Sequence, residues 1–199
     1  MTPPRTPLLL VAAAAVLSLA ACSGDAQPSA STPDAATAAP APSGDPIAPG
    51  ETRLVAPNSA FTVSGGETDF DAWPEVQAEN ADNPAPADGR TFVMFPLSIG
   101  YDWPTIEAQA EAAETDISGG VDPTWVLSPT FVGSDGTSYG IGTDDDCGDV
   151  PDDWAELGPV FESTTVTGNV CVSVPSDVIT GGAWVVSNSE NAAVTITAE

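Results

Sequence analysis

Gly168-Asn169-Val170-Cys171-Val172-Ser173-Val174-Pro175 constrains this chain more than any other stretch. Val170, Val172 and Val174 recur at every second position and make one apolar face, while Gly168-Asn169 reads as a tight-turn pair and Pro175 as the end of pairing. The stretch reads as a β-strand with Cys171 projecting from its other face, so whatever that cysteine bonds to is held against a sheet. Similar signals recur along the chain. Thr91–Tyr101 sets Val93, Phe95, Leu97, Ile99 and Tyr101 on one side; Thr124–Val132 sets Trp125, Leu127 and Phe131 on one side; Ala183–Ser187 and Ala193–Thr197 follow. Asp88-Gly89, Gly119-Gly120, Asp135-Gly136 and Gly181-Gly182 punctuate them as turns. Many short strands with glycine-rich turns predict an all-β, two-sheet β-sandwich.

Pro96 and Pro129 fall inside two of these runs and have no N–H to give a ladder, which predicts an edge position or a bulge at each. Helix signals are sparse. Pro104–Thr115 carries proline near its first turn, Ala and Glu formers, and Gly119-Gly120 beyond it, so a helix is expected there with a mostly alanine apolar side. Around Phe70–Asn80 a short strand over Glu75–Glu79 is expected in preference to a second helix.

Residues 1–21 have the three parts of a secretory signal: Arg5, an apolar run from Leu8 to Leu19, and small residues at the end. Leu19-Ala20-Ala21-Cys22 followed by Ser23-Gly24 resembles the lipobox of bacterial lipoproteins. The resemblance implies a diacylglyceryl thioether on Cys22 and attachment to the outer face of the cell membrane; the alternative is an ordinary signal peptide with a chance cysteine. With Cys22 modified, Cys147 and Cys171 remain as an even pair, and a disulfide between them suits an oxidising compartment. It closes a loop of about 25 residues, for which the chain-entropy model gives about 3.5 kcal/mol. Residues 22–50 are rich in Ala, Pro, Ser and Thr, with Ile47 as their one large aliphatic, so a disordered tether is expected, with O-glycosylation of its hydroxyls as a further reading. Residues 51–199 are then one folded domain.

Charge and composition exclude several function classes. The chain carries 29 acidic residues, 3 Lys plus Arg and no histidine, for a net charge of −26. All three cations are arginines, and Arg53 and Arg90 alone lie beyond the leader. Nucleic acid and anionic head groups are repelled by such a surface. Without histidine the common metal ligand and every imidazole triad are missing, and without lysine there is no Schiff-base or Ser-Lys chemistry. No catalytic residue and no bound cofactor are therefore expected. Arg90 should pair with an acid. Carboxylate chemistry remains open, since two acids about 5–10 Å apart suffice for glycoside hydrolysis; a carboxylate-dependent envelope glycoside hydrolase is one alternative function.

A second alternative is a calcium-dependent surface protein. Asp144, Asp145, Asp146, Asp149, Asp152 and Asp153 crowd around Cys147, and calcium takes six to eight oxygens; Asp144, Asp146, Asp149 and Asp152 are the candidate ligands. The spacing does not match an EF-hand, because Gly148 comes one position early and Ala155 stands where the bidentate Glu belongs. A solvated acidic loop is the plainer interpretation. Trp125, Trp154 and Trp184 are expected in the core or covering an edge rather than as sugar platforms.

Several stretches in order resemble the immunoglobulin-like, telokin-like domains of exported Gram-positive lipoproteins, a group mostly without an assigned activity. They are Ala78-Glu79-Asn80, Asn83-Pro84 with Pro86, Gly89 leading to Phe92-Val93, Leu127-Ser128-Pro129 to Asp135-Gly136 with Tyr139, Cys147-Gly148 with Pro151-Asp152, and Gly168 to Pro175 followed by Trp184-Val185-Val186. The Ala- and Glu-rich stretch from Trp103 to Ser118 departs from the pattern. The resemblance implies an immunoglobulin-like two-sheet sandwich outside the membrane and supplies no catalytic residue. The function expected is a lipid-anchored binding module, its ligand an unknown envelope or protein partner.

Overall fold

A computed structural model describes residues 44–141 and 145–198. Its frame is two four-stranded antiparallel sheets. The first contains β1 (Arg53–Leu54), β2 (Phe61–Gly65), β3 (Arg90–Tyr101) and β6 (Thr165–Pro175), in the order β1-β2-β3-β6. The second contains β4 (Leu127–Val132), β5 (Ser138–Gly140), β7 (Ala183–Asn188) and β8 (Ala193–Thr197), in the order β5-β4-β7-β8. Three short helices, α1 (Trp73–Glu79), α2 (Trp103–Ala112) and α3 (Pro123–Val126), sit in the connections.

The period-two pattern decides how the sheets meet. Val93, Phe95, Leu97 and Ile99 of β3 and Val170, Val172 and Val174 of β6 enter one core with Leu127, Phe131, Trp184, Val186, Val194 and Ile196 of the second sheet. Phe95 stacks on Trp184 with ring centroids 4.1 Å apart, and Phe131 meets the same indole edge-on at 5.2 Å. Each such side chain, fully buried, contributes about 1.5–3 kcal/mol. The opposite face of β3 and β6 is also covered in part. Phe92, Met94 and Cys171 join Ala72, Val76, Cys147 and Val150 in a second, smaller apolar cluster.

Pro96 and Pro129 do not lie on edge strands, because β3 runs between β2 and β6 and β4 between β5 and β7. The missing N–H is accommodated differently. The Pro96 carbonyl accepts from Gly66, so its nitrogen faces the same side, where the regular pairing of β2 stops at Gly65↔Leu97. Pro129 lies one residue beyond the last β5 pairing, Thr130↔Gly140. Each proline is at a local edge within an interior strand.

Four other expectations need correction. Gly168 and Asn169 are not a turn but the middle of an 11-residue strand, opposite Leu97 and Pro96. Glycine is required there for contact: a Cβ on Gly168 would come within 2.8 Å of the Trp154 Cα. Glu75–Glu79 is not a strand; Pro74 in the first turn starts α1, which buries Val76. The helix expected to reach Thr115 ends at Ala112. The tether expected to extend to Gly50 gives way earlier. Ile47 is 2% exposed, its N–H donates to Thr195 and its carbonyl accepts from Thr197, so it lies parallel to β8 against Ile196. One isoleucine in a polar segment is enough to dock it. Cys22, the leader and the tether up to residue 43 lie outside the described residues.

Candidate functional site

Cys147 and Cys171 are disulfide-bonded. The bond pins the acidic segment along the outer edge of β6. Ser173 N donates to the Asp145 carbonyl at 2.6 Å, Asn169 N to the Asp152 carbonyl at 2.8 Å, and the Asn169 side-chain amide to the Pro151 carbonyl at 2.7 Å. Backbone groups that would otherwise stand open on a sheet edge are therefore occupied. Arg90 adds an ion pair to Asp145 at 2.5 Å, while its Nε donates to Ser173 Oγ at 2.9 Å and the guanidinium lies 5.8 Å over the Tyr139 ring. The other side of the segment is held from the end of α1. Asn80 Nδ2 donates to the Asp149 carboxylate and Asn83 Nδ2 to the Asp149 carbonyl, both at 2.7 Å, and Asp149 N donates back to Asn83 Oδ1 at 3.1 Å.

Two of the four carboxylates read as candidate calcium ligands take part in hydrogen bonds within the chain. Asp146 accepts from the Gly148 N–H and Asp149 from Asn80, whereas Asp152, at a positive φ of 48°, is engaged through its carbonyl, which accepts from Asn169 on β6. Among the described residues no group of three or more His, Cys, Asp or Glu is placed to hold a metal ion. Asp144 lies outside the described residues. At Asp153, burial, with Glu156, Asp146 and Asp149 nearby, pushes the carboxyl above the usual range against the Ala155 N–H that favours the charged form.

A different place at one end of the sandwich is open. Trp125 shares the strand spacing of Leu127 and Phe131 and is expected in the core or covering an edge, yet it is 80% exposed. The reason is local. Asp122 accepts from both the backbone N–H and the hydroxyl of Thr124, and Pro123 follows the cap, so residues 123–126 coil into α3 before β4 begins. The indole is thereby turned out of the strand's alternation. Asp-Pro-Thr was the available sequence signal, an N-cap with proline at the first helical position. The other two tryptophans named above, Trp154 and Trp184, are buried.

Trp125 flanks a groove of about 490 Å³ built from the β1–β2 connection, α2, α3 and the β7–β8 turn. Gln109 Nε2 donates to the Asn58 carbonyl at 2.9 Å, tying α2 to the β1–β2 connection. Asn188 Oδ1 accepts the N–H groups of Glu190 and Ala192 at 3.1 and 2.9 Å, which fixes the amide's orientation and shapes the turn. Those bonds leave the Asn188 Nδ2, Gln109 Oε1 and the Glu190 carboxylate without a protein partner among the described residues. Donor and acceptor capacity thus borders one exposed aromatic face. Glu190 is the one carboxylate lining the groove, whereas hydrolysis of a glycosidic bond by the common routes takes two.

No family model matches the chain. Nor does any curated protein match it. Among solved structures, the 2.2 Å crystal structure of a conserved hypothetical protein from Bacillus anthracis is similar at 12% identity, covering 73% of this chain and 97% of that one, with a TM-score of 0.39. Likeness at that level carries no functional argument.

Proposed function

We propose that this chain is a non-catalytic binding module displayed outside the cell membrane and held there by a lipid on Cys22. The observation that carries the binding assignment is the groove beside Trp125, where a large exposed indole adjoins polar groups left without protein partners. The acidic segment, by contrast, is engaged in closing the β6 edge, and the groove has a single carboxylate, which favours binding over hydrolysis there. The location rests on the lipobox-like Leu19-Ala20-Ala21-Cys22. We read the sandwich as immunoglobulin-like and the chain as an exported Gram-positive lipoprotein of that kind; connections that pass between the sheets from β3 to β4, β5 to β6 and β6 to β7 support the first part.

Two measurements on cells test the proposal. Cys22→Ala should move the protein from the membrane fraction to the medium, and retention in the membrane would overturn the anchor. A photo-crosslinking residue placed at Ser189 of the anchored chain should capture an envelope component, and its absence from every adduct would overturn the binding assignment.

A further inference from the structure

We infer that the Trp125 groove binds an uncharged glycan, presenting the indole to the C–H face of a pyranose ring and the surrounding amides to its hydroxyls. The inference rests on the binding-module proposal and gives it a ligand class. A sugar ring has an apolar face and a rim of groups that each donate and accept. The groove offers the complementary set: one flat exposed aromatic, a free donor at Asn188 Nδ2, and free acceptors at Gln109 Oε1 and Glu190.

Other ligand classes fit less well. A polyanion is disfavoured by a net charge of −26 and by the absence of any cation lining the groove. An acyl chain needs a mostly apolar wall, and the hollow of that kind, about 590 Å³ beside Pro46, Phe70 and Ile179, is lined by other residues altogether. A peptide adding to a sheet needs an open strand, whereas the groove is made from connections and helices. Its volume falls in the range of about 300–1,000 Å³ common for small-ligand sites. The two sides are also braced before any ligand arrives, by Gln109 on Asn58 and by Asn188 on its own turn, so little ordering cost remains for binding.

The test uses the full chain in detergent, titrated with cellotetraose and N-acetylchitotetraose while the indole N–H resonance of Trp125 is followed, assigned by its loss in Trp125→Ala. At least one tetrasaccharide should shift that resonance saturably. Measured by calorimetry, Trp125→Ala should weaken binding at least ~10-fold with melting temperature unchanged, because the indole is exposed, and Gln109→Ala, which also removes the brace to Asn58, should weaken it about 3-fold. Phe161→Ala, which removes an exposed aromatic outside the groove, should bind as the parent does. The inference is overturned if neither tetrasaccharide shifts Trp125, if Phe161→Ala loses as much affinity as Trp125→Ala, or if phosphatidylcholine vesicles shift the resonance and sugars do not. A crosslink from Ser189 to a protein, with both sugars silent, would leave the binding module standing and remove the glycan. With both sugars silent and no crosslink, the binding module falls as well.

Discussion

Asp153 accepts the Ala155 N–H at 2.8 Å while standing half-buried among Glu156, Asp146 and Asp149. Burial and like charge outweigh the hydrogen bond, so its carboxyl titrates higher in the folded chain than in the unfolded one. The folded state then holds more protons between the two pKa values. Stability from this residue rises as pH falls into that window and is least above it. Asp153→Asn keeps an acceptor for Ala155 and removes the charge. It should raise the melting temperature at neutral pH, and the difference should shrink as the buffer is taken down through the carboxylate range; scanning calorimetry at several pH values checks both parts.

At the scale of elements, the disulfide and the edge it closes are one device. Replacing both Cys147 and Cys171 by Ser should cost about 3.5 kcal/mol by the loop-entropy model, measured by urea unfolding. The amides of Asn169 and Ser173, which bond to the pinned segment, should lose hydrogen-exchange protection first, ahead of the β3-facing amides of the same strand. This pairing was legible in the sequence because Val170, Val172 and Val174 alternate cleanly and cysteine usage left one partner. The edge role was not, since Asn80 and Asn83, which clamp the segment from behind, are distant from it in the chain. Short elements with one buried residue were the hardest to read. In α1 only Val76 is buried, so no 3.6-residue apolar period exists to reveal the helix. In α3 the strand-like spacing of Trp125 with Leu127 and Phe131 concealed a capped turn.

Over the whole molecule, alternation in the long strands was enough to predict two packed sheets, because each strand reports its own inward face. The groove could not be found that way. Asn58, Gln109, Trp125 and Asn188 come from four separate segments and converge only when both sheets are in place. The boundary of the fold was likewise hidden, resting on the single aliphatic Ile47. Ile47→Ala should destabilise the domain by about 2–4 kcal/mol, a large loss for a residue in a Pro- and Ala-rich stretch, and urea unfolding would show it.

That docked isoleucine also sets where force would enter. If Cys22 is fixed to a membrane, the chain between it and Ile47 reaches roughly 85 Å at full extension. Any drag on a captured ligand is then met by the Arg53 side chain, which donates to the Asp45 carbonyl, and at β8 by the hydrogen bonds of Ile47 and its buried side chain. Release of this clip would lengthen the leash by a few residues and uncover the β8 edge while the disulfide still holds the far side of the sandwich together.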